Sequence, residues 1–267
     1  MRIVLTIAGS DPSGGAGIQA DLKTFAAFAV YGASAITAIT VQNTLGVELV
    51  APLAADLVTA QIEAIAGDFA LHATKTGMLA NAAIVEAVTA AIDELDLPLV
   101  VVDPVLVSTS GERLLDADGV RALCAELLPR ARVVTPNLPE AEALSGRKIG
   151  SLDEARDAAR RIHDMGPRAV VITGGHAPAA GDEVVDLLLD DDEQFHEIRT
   201  RRIETPGAHG TGCTFASAIA ASLALGRTLP DAAARAQEYV AGAIAHAPTI
   251  GHGLGPIDHF WDLRRNW

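Results

Sequence analysis

Residues 3–29 read IVLTIAGSDPSGGAGIQADLKTFAAFA, and this stretch contains a strand, a loop and a helix in that order. An apolar run that stops at a glycine predicts the strand over Ile3–Ala8. Apolar residues spaced i, i+4, i+7 and i+11 predict the helix, and they are Ile18, Leu22, Phe25 and Ala29. The segment Gly9–Gly17, rich in glycine and serine, forms the loop between them. The chain therefore starts with a β–loop–α unit.

The alternation of strand and helix continues along the chain. Further strands are predicted at Ser34–Val41, Leu99–Val102, Arg132–Val134 and Ala169–Ile172. Helices are predicted at Ala54–Gly67, on the stripe Ile84, Val88, Ala91 and Leu95, and on the stripe Ala155, Ala159 and Ile162. Valine-rich strands that alternate with helices are typical of a parallel sheet with helices on its faces. The segments Val184–Leu189 and Phe195–Ile198, joined by an acidic turn, predict a hairpin at one edge of the sheet.

Two more helices complete the predicted body. Gly212–Gly226 carries no charged residue, which predicts a helix buried on most sides, and a last helix is predicted from about Pro230 to Ala245. No repeat, low-complexity segment or shift in composition marks a linker. An α/β chain of 267 residues can bury one large core. We therefore predict a single domain over residues 1–267.

Charge and cysteine content exclude several classes of protein. The chain has 20 Lys and Arg against 34 Asp and Glu, a formal net charge of −14, which disfavours binding to nucleic acid. Its two cysteines, Cys124 and Cys213, form neither a disulfide framework nor a zinc spacing, so a reducing cytoplasm is expected. The apolar run Ile3–Ile7 is too short for the core of an export signal, and the uncharged stretch Thr24–Val47 contains too many polar and glycine residues for a membrane span. We expect neither nucleic acid nor membrane as a partner.

The first candidate site is the loop Gly9–Gly17. Loops at the carboxyl ends of parallel strands commonly bind ligands. The loop lacks the G-x-G-x-x-G spacing of dinucleotide-binding proteins, and no acid ends the second strand. Taken alone, it is equally well interpreted as a glycine-dependent turn.

The second candidate is the segment His209–Thr214, HGTGCT, directly before the uncharged helix. Gly210 and Gly212 would let the backbone approach a ligand, and the free amides and dipole of the helix start would attract an anion such as a phosphoryl group. At that helix start, Cys213 is predicted to have a lowered thiol pKa. A role as proton acceptor or nucleophile follows from that prediction.

The third candidate is an oxygen-rich group at other strand ends. Asn137 and Glu140 begin a helix, and an amide and a carboxylate on adjacent turns suit water-mediated binding of Mg²⁺ beside phosphates. Alone this is an ordinary helix start. Asp103 closes the strand Leu99–Val102, and Gly174–His176 follows another strand. The predicted sheet brings all of these groups to one edge.

Five motifs carry a resemblance to a known family: IAGSDPSGGAGIQADLKT at 7–24, VQNT at 41–44, KTGML at 75–79, TPNLPEAE at 135–142 and HGTGCT at 209–214. The chain resembles the hydroxymethylpyrimidine/phosphomethylpyrimidine kinases of thiamine biosynthesis, which belong to the ribokinase-like superfamily. The resemblance runs from Ile3 to the tail GPIDHF at 255–260, so it covers nearly the whole chain.

The resemblance implies a three-layer α/β/α fold with a central, mostly parallel sheet. It implies an enzyme that binds ATP and Mg²⁺ and phosphorylates first the alcohol and then the phosphate of one pyrimidine. A homodimer is expected, and a monovalent cation is left open as a further cofactor. By position, the pyrimidine pocket would be formed by Gly9, Asp21, Gln42 and Met78.

The resemblance also implies the nucleotide side of the site. Nucleotide binding would involve Asp103, Asn137, Glu140, Thr173, Gly175, His176 and His209, with Asp103 and Glu140 holding Mg²⁺ through water. Catalysis would fall to Cys213 with the backbone of Gly210, Thr211 and Gly212. Two departures remove positive charge near the nucleotide. Thr173 stands where relatives commonly have Lys, and Pro206-Gly207-Ala208 stands where they frequently have Lys-Asn-Thr.

The chemistry of the residues agrees with a pyrimidine substrate. An aminopyrimidine has ring-nitrogen acceptors and an amino donor, and the amide of Gln42 can match both. Met78 offers an adaptable apolar surface for the ring face. Two alternatives stay open. One is a pyridoxal or pyridoxine kinase, since pyridoxine is another flat ring with a hydroxymethyl group, and the other is a catalytically weak pyrimidine-binding module.

Overall fold

The computed structural model describes residues 1–108, 111–176, 182–204, 207 and 209–263. The strands in this part of the chain are β1 (Ile3–Ser10), β2 (Tyr31–Asn43), β3 (Gly46–Pro52), β4 (Ala73–Thr76), β5 (Val100–Val102), β6 (Val133–Val134), β7 (Val170–Ile172), β8 (Glu183–Leu189) and β9 (Phe195–Arg201). The α-helices are α1 (Gly17–Ala27), α2 (Ala55–Ala66), α3 (Ala82–Glu94), α4 (Ala117–Ala122), α5 (Leu138–Ser145), α6 (Leu152–His163), α7 (Thr211–Ala224) and α8 (Leu229–Ala245).

The described strands form one sheet in the order β3-β2-β1-β4-β5-β6-β7-β8-β9. Neighbouring strands from β2 to β7 run parallel. Hairpins add antiparallel strands at both edges, β3 next to β2 and β8–β9 next to β7. The predicted edge hairpin is thus confirmed at β8–β9. Since the central strands are parallel, their carboxyl ends meet along one edge of the sheet.

Apolar side chains of successive strand residues enter two cores, one on each face of the sheet. Leu5 packs in a cluster with Val58 of α2 and Ile162 of α6. Its neighbour Val4 belongs to the opposite cluster, which contains Phe25 of α1. This alternation follows from the two-residue period of a strand. The predicted three-layer α/β/α architecture is confirmed.

Helix α7 packs at the centre of the second layer. Every residue from Thr214 to Ala224 is buried, as the absence of charge in the sequence predicts. Its side chains are mostly alanine and serine, and it contacts α1 and α8 as well as β1, β4 and β5. The start of α7 is therefore held against the carboxyl ends of the central strands. Within the described residues, no helix has the length and apolar character needed to cross a bilayer.

The secondary structure differs from the prediction in several places, one of which is helix α4, a helix that was not predicted. Helix α1 ends at Ala27, and Ala29 lies beyond it with a φ of 56° and an exposed side chain. The edge strand β3 was not predicted. Neither was β4, whose sequence ATKT is buried throughout despite its three polar residues.

Candidate active site

A cavity of about 660 Å³ lies at the carboxyl ends of the parallel strands. Its wall includes Gly9 from β1, Gln42 from β2 and Asp103 directly after β5. The segment Gly210–Cys213 at the start of α7 forms another side. This is the usual position of a ligand site in an open α/β sheet. The predicted candidate sites therefore share one cavity.

The two glycine-rich loops contact each other backbone to backbone. Gly210 caps α7 with a φ of 85°, and a Cβ added there would overlap the carbonyl oxygen of Gly15. A Cβ added at Gly15 would lie 2.5 Å from Cδ2 of the His209 ring. Both positions therefore require glycine. The close packing brings the first loop alongside the free amides of the α7 helix start, which favour an anion.

Asp11 organises the first loop. Its carboxylate accepts hydrogen bonds from the backbone N–H of Ser13 (2.8 Å) and Ala16 (2.8 Å) and from the Ser13 hydroxyl (2.7 Å). Nε2 of His209 lies 2.9 Å from the same carboxylate. Burial acts to raise the pKa of Asp11, but these hydrogen bonds, that of His209 first, hold it below its ordinary value. Asp11 thus joins the first loop to the loop before α7.

The side chain of Gln42 points into the same region. Thr40 and Gln42 are two residues apart on β2, so they lie on one face of the strand, and a register shift against β3 occurs at this point. The Gln42 amide lies 3.1 Å from the Thr40 hydroxyl and 3.2 Å from His209 Nε2. Met78 also lines the cavity, and a Cβ added at Gly9 would lie 3.1 Å from its sulfur. A flat ring thus has an apolar surface and an amide edge within reach.

A buried charge pair lies beneath the cavity. Lys75 Nζ binds both carboxylate oxygens of Asp21, at 3.0 and 3.1 Å, and both side chains are fully buried. The hydroxyls of Thr6 (2.6 Å) and Ser217 (2.7 Å) also donate to Asp21. Burial acts to lower the pKa of Lys75, but the surrounding charges, chiefly that of Asp21, raise it above its ordinary value. Asp21 is therefore not in the wall of the cavity, where the resemblance placed it, because its carboxylate is taken up by the core.

Cys213 is a protonated thiol. Burial raises its pKa to about 12; the positive charge of Lys75 opposes this shift, and the negative charges of Asp103 and Asp21 add to it. The predicted lowering of the thiol pKa is therefore wrong, because desolvation exceeds the effect of the helix start. The Cys213 thiol in turn acts to lower the pKa of Asp103.

Two buried carboxylates line the cavity, Asp103 directly after β5 and Glu140 in the first turn of α5. Burial is the main cause that raises the pKa of Asp103 to about 6; the charge of Lys75 opposes it, and the smaller effect of Asp21 adds to it. Burial and the charge of Asp103 raise the pKa of Glu140 to about 7. Glu140 forms a capping box at the start of α5, where its carboxylate accepts from the backbone N–H of Asn137 (3.0 Å), and it also accepts from that of Leu106 (3.2 Å).

These carboxylates fit a magnesium ion held partly by water. Oδ2 of Asp103 is buried and has no hydrogen-bond partner. Among the described residues, no cluster of three His, Cys, Asp or Glu side chains could hold a metal ion. Mg²⁺ needs no such cluster, since it usually keeps several waters and binds one or two carboxylates together with phosphates. Asp103 and Glu140 thus have the chemistry that the sequence predicts for them.

The sequence model of the phosphomethylpyrimidine kinase family matches residues 11–258 of the chain. The chain is 47% identical over 256 residues to the hydroxymethylpyrimidine/phosphomethylpyrimidine kinase of Bacillus subtilis (strain 168), which covers 96% of this chain and 94% of that one. It is 48% identical over 262 residues to the protein of that name from Synechococcus elongatus, covering 98% of both chains. The chain belongs to the phosphomethylpyrimidine kinase family.

A solved structure extends the comparison to the fold. The pyridoxal kinase from Staphylococcus aureus in complex with AMP-PCP and pyridoxal superposes with a TM-score of 0.90 at 38% identity, covering 99% of this chain and 95% of that one. The kinase therefore has the ribokinase-like fold that the resemblance implies, and it is a phosphotransferase.

Most of the site residues predicted for the kinase line the cavity. They are Gly9, Gln42, Met78, Asp103, Asn137, Glu140, Thr173, Gly175, His209, Gly210, Thr211, Gly212 and Cys213. Asp21 does not line it, and the side chain of His176 lies outside the part of the chain that the structure describes. Of the departure Pro206-Gly207-Ala208, Pro206 and Ala208 lie outside the described residues.

Sequence reasoning assigned no role to two acidic residues of the kinase that line the cavity. One is Asp11, whose signal is the acid two residues before a serine that is typical of a side-chain-closed turn. The other is Asp186, which accepts from the backbone N–H of Gly174 (2.8 Å) and from Gln237 (2.9 Å). Burial raises the pKa of Asp186 to about 6. The signal for it is an acid within the apolar run VVDLLL of β8.

Proposed function

We propose that this kinase phosphorylates 4-amino-5-hydroxymethyl-2-methylpyrimidine with ATP and then phosphorylates the monophosphate to the diphosphate, in the cytoplasm, for thiamine biosynthesis. The observation that carries the proposal is that one cavity joins the Gln42 amide to the helix start at Gly210–Gly212. The amide can bind the edge of an aminopyrimidine, and the helix start can bind a phosphoryl group. The names of the curated relatives support this substrate.

The residues divide into a ring side and a phosphate side. On the ring side, the Met78 thioether contacts a ring face and Gln42 binds the ring edge. On the phosphate side, the backbone N–H groups of Gly210–Gly212 at the start of α7 would bind the negative charge that develops on the transferred group and so stabilise the transition state. Asn137 and Thr173 would contact the nucleotide. A solved relative in complex with AMP-PCP supports ATP as the donor.

Asp103 and Glu140 would hold Mg²⁺ through water. When bound, Mg²⁺ neutralises charge on the phosphate oxygens of the nucleotide. Burial has already raised the pKa of both carboxyls, so they compete with protons for the ion near neutral pH. Binding of Mg²⁺ should therefore release protons.

Removal of the alcohol proton is assigned to Cys213 together with Asp103. The thiol and Asp103 line the same cavity and the thiol acts to lower the pKa of that carboxyl, so the alcohol proton would pass to the sulfur as the thiol proton passes to the carboxylate. The sulfur then never carries a full negative charge, which agrees with its raised pKa. A carboxyl with a pKa of about 6 is well matched to accept a proton near neutral pH. The monophosphate is already ionised and needs no base.

The test is to measure the two phosphorylations separately in Cys213→Ala and Cys213→Ser. We expect Cys213→Ala to slow the alcohol step by about 10²-fold, the scale of a general base, and to change the monophosphate step by only several-fold. The serine hydroxyl can also pass a proton, so Cys213→Ser should retain more of the alcohol step than alanine does. Cys124→Ala, at a half-buried cysteine in the opposite core, is the control. Equal losses in both steps would contradict the assignment.

Pyridoxal or pyridoxine is the second candidate substrate. The observation that favours it is the fold match to a pyridoxal kinase bound to pyridoxal. Comparison of kcat/KM for the pyrimidine alcohol and for pyridoxal decides between them. Binding of the pyrimidine without turnover of ATP would instead favour the catalytically weak binding module.

An apolar surface on the β2–β3 hairpin supports assembly as a homodimer. Val41 and Leu49 face each other across the two strands, and Leu45 lies at their turn, each at least 49% exposed. We propose that a second copy covers this edge. Light scattering should then show a dimer that dissociates in Leu49→Lys and persists in Leu225→Lys, which alters an exposed leucine after α7. A wild-type monomer would contradict the proposal.

A further inference from the structure

One arm of the cavity lies between helix α8 and the β8–β9 hairpin. Gln237, Val240 and Ile244 are spaced i, i+3 and i+7 along α8, so they lie on one face of that helix. Val184 and Asp186 are two residues apart on β8, so they lie on one face of that strand. All five residues line the cavity, and they define what we call the α8 arm. Its walls are largely aliphatic.

The α8 arm extends from the phosphate side of the site. Phe215 lines the cavity one helical turn after Thr211, and Val240 and Ile244 pack against the same core cluster as Phe215. In the sheet, five strands separate β8 from β2, which carries Gln42. A molecule whose phosphates bind at the start of α7 can therefore extend into the α8 arm without meeting a ring bound at Gln42.

Two acceptors fix the orientation of the Gln237 amide. Its Nε2 donates to Oδ2 of Asp186 (2.9 Å) and to the backbone carbonyl oxygen of Ile198 (2.9 Å), the residue opposite Asp186 in the hairpin. An NH₂ group has two hydrogens, so both are used. A backbone carbonyl only accepts hydrogen bonds, so a half-turn of the amide would set two oxygens against each other. The nitrogen is therefore held towards the hairpin.

The oxygen of the same amide is available to a ligand. Among the described residues, none donates a hydrogen bond to Oε1 of Gln237. Gln237 is only 6% exposed, but Oε1 is not one of the fully buried side-chain atoms that lack a partner. Because Gln237 lines the cavity, its accessible oxygen offers an acceptor there. An amide oxygen that cannot exchange places with its nitrogen accepts hydrogen bonds and donates none.

We propose that Gln237 is a specificity-determining residue for the phosphate donor: the α8 arm binds the base of the nucleotide, and Oε1 of Gln237 accepts a hydrogen bond from an exocyclic amino group on that base. The aliphatic side chains of Val184, Val240 and Ile244 contact the faces of the ring. A base with a carbonyl oxygen in place of the amino group would set two acceptors against each other, and Gln237 cannot turn to relieve this. The inference rests on the proposed function, because it assumes that the start of α7 binds the phosphates of a nucleotide.

The test compares three nucleoside triphosphates that differ at one position of the ring. ATP has the amino group there, purine riboside triphosphate has only hydrogen, and ITP has a carbonyl oxygen. Calorimetry with Mg²⁺ and without the pyrimidine measures their affinities for the wild type. We expect the affinity to fall in that order. The first step should be about three- to tenfold, the scale of one hydrogen bond, and ITP should bind more weakly still.

Gln237→Met keeps the length of the side chain and removes the acceptor. The three affinities should then come within about twofold of one another, and ITP should bind more tightly than it does to the wild type, because the opposing oxygen is gone. That gain distinguishes the proposal from general damage to the site, which would weaken all three nucleotides alike. Val240→Ala, on the same face of α8, is the matched control. It removes an apolar contact and should weaken all three equally, so the order is kept.

The order of affinities in the wild type needs no variant, so it tests the inference even if Gln237→Met fails to fold. Equal affinity of the wild type for ATP and ITP overturns the inference. An unchanged ratio of these affinities in folded Gln237→Met overturns it as well, and both results leave the proposed pyrimidine substrate intact. A wild type that binds none of the three nucleotides contradicts the proposed function and the inference with it.

Discussion

Replacing Lys75 by methionine tests whether the buried charge pair is part of the fold or of the ligand pocket. Methionine has a similar length without the charge, so Lys75→Met leaves the carboxylate of Asp21 fully buried with only the hydroxyls of Thr6 and Ser217. Breaking a buried ion pair in this way costs about 3–5 kcal/mol. For a domain near this size, that lowers Tm by roughly 6–20 °C.

The partner variants predict an order of stability. Asp21→Asn should cost less than Lys75→Met, because the lysine ammonium still has Asp103 Oδ2 at 3.9 Å. The double variant Asp21→Asn/Lys75→Met removes both charges and should recover more than half of the loss. Lys148→Met is the control, since Lys148 binds Glu142 at 2.6 Å with 91% of its side chain exposed, and surface pairs contribute at most about 1 kcal/mol.

Urea unfolding followed by circular dichroism measures these differences. The reasoning is refuted if Lys75→Met stays within about 1 kcal/mol of the wild type, or if the double variant is less stable than both single variants. Calorimetry on folded Asp21→Asn separates the two roles of Asp21. We expect unchanged affinity for the pyrimidine, and a loss confined to the pyrimidine would instead place Asp21 in the pocket, as the resemblance implied.

Three further predictions concern pH, a loop contact and the nucleotide. Burial lowers the pKa of His259 to about 4, so its contribution to the free energy of unfolding is complete above pH 6.5 and is lost as the pH falls towards 4. In urea titrations, His259→Gln should remove about 3 kcal/mol of the change in unfolding free energy over this range. An unchanged pH profile in the variant would contradict this. Gly210→Ala should reduce both phosphorylations by at least about tenfold because its Cβ overlaps Gly15, whereas Gly226→Ala, with a similar φ of 84° and open space, should lose stability but keep activity. Thr173→Lys should lower the KM for ATP and leave the KM for the pyrimidine unchanged. An unchanged KM for ATP would mean that another cation already binds the phosphates. Because Lys75 is fully buried, the candidate is Arg202, which lines the cavity.

The sequence predicts those strands whose own residues are apolar enough to indicate that they are buried. Val100–Val102 is apolar throughout, and a run of valines needs no partner to explain its burial. β4 has the sequence ATKT and is equally buried. Its lysine is neutralised by Asp21, which lies 54 residues earlier on α1. Local periodicity carries no information about such a distant pairing, so the strand could not be predicted from it.

The position of the site could be predicted, but not its protonation states. Strand ends in a parallel sheet converge whatever their sequence, so Asp103 and Asn137 could be placed at one edge. The pKa of Cys213 depends on how deeply the start of α7 is buried and on charges from other elements. The sequence shows a cysteine at a helix start, which alone predicts a lower pKa. Packing reverses that prediction.

The contact between the two glycine-rich loops explains why their motifs belong together. Gly15 and Gly210 are separated by most of the chain, yet a Cβ on either would collide with the loop that contains the other. A side chain at Gly210 would meet the backbone of Gly15, so no change of side chain in the first loop could accommodate it. Gly226 has almost the same φ as Gly210 and no such neighbour. Sequence alone cannot distinguish these two glycines, since the difference between them is the presence of a second loop.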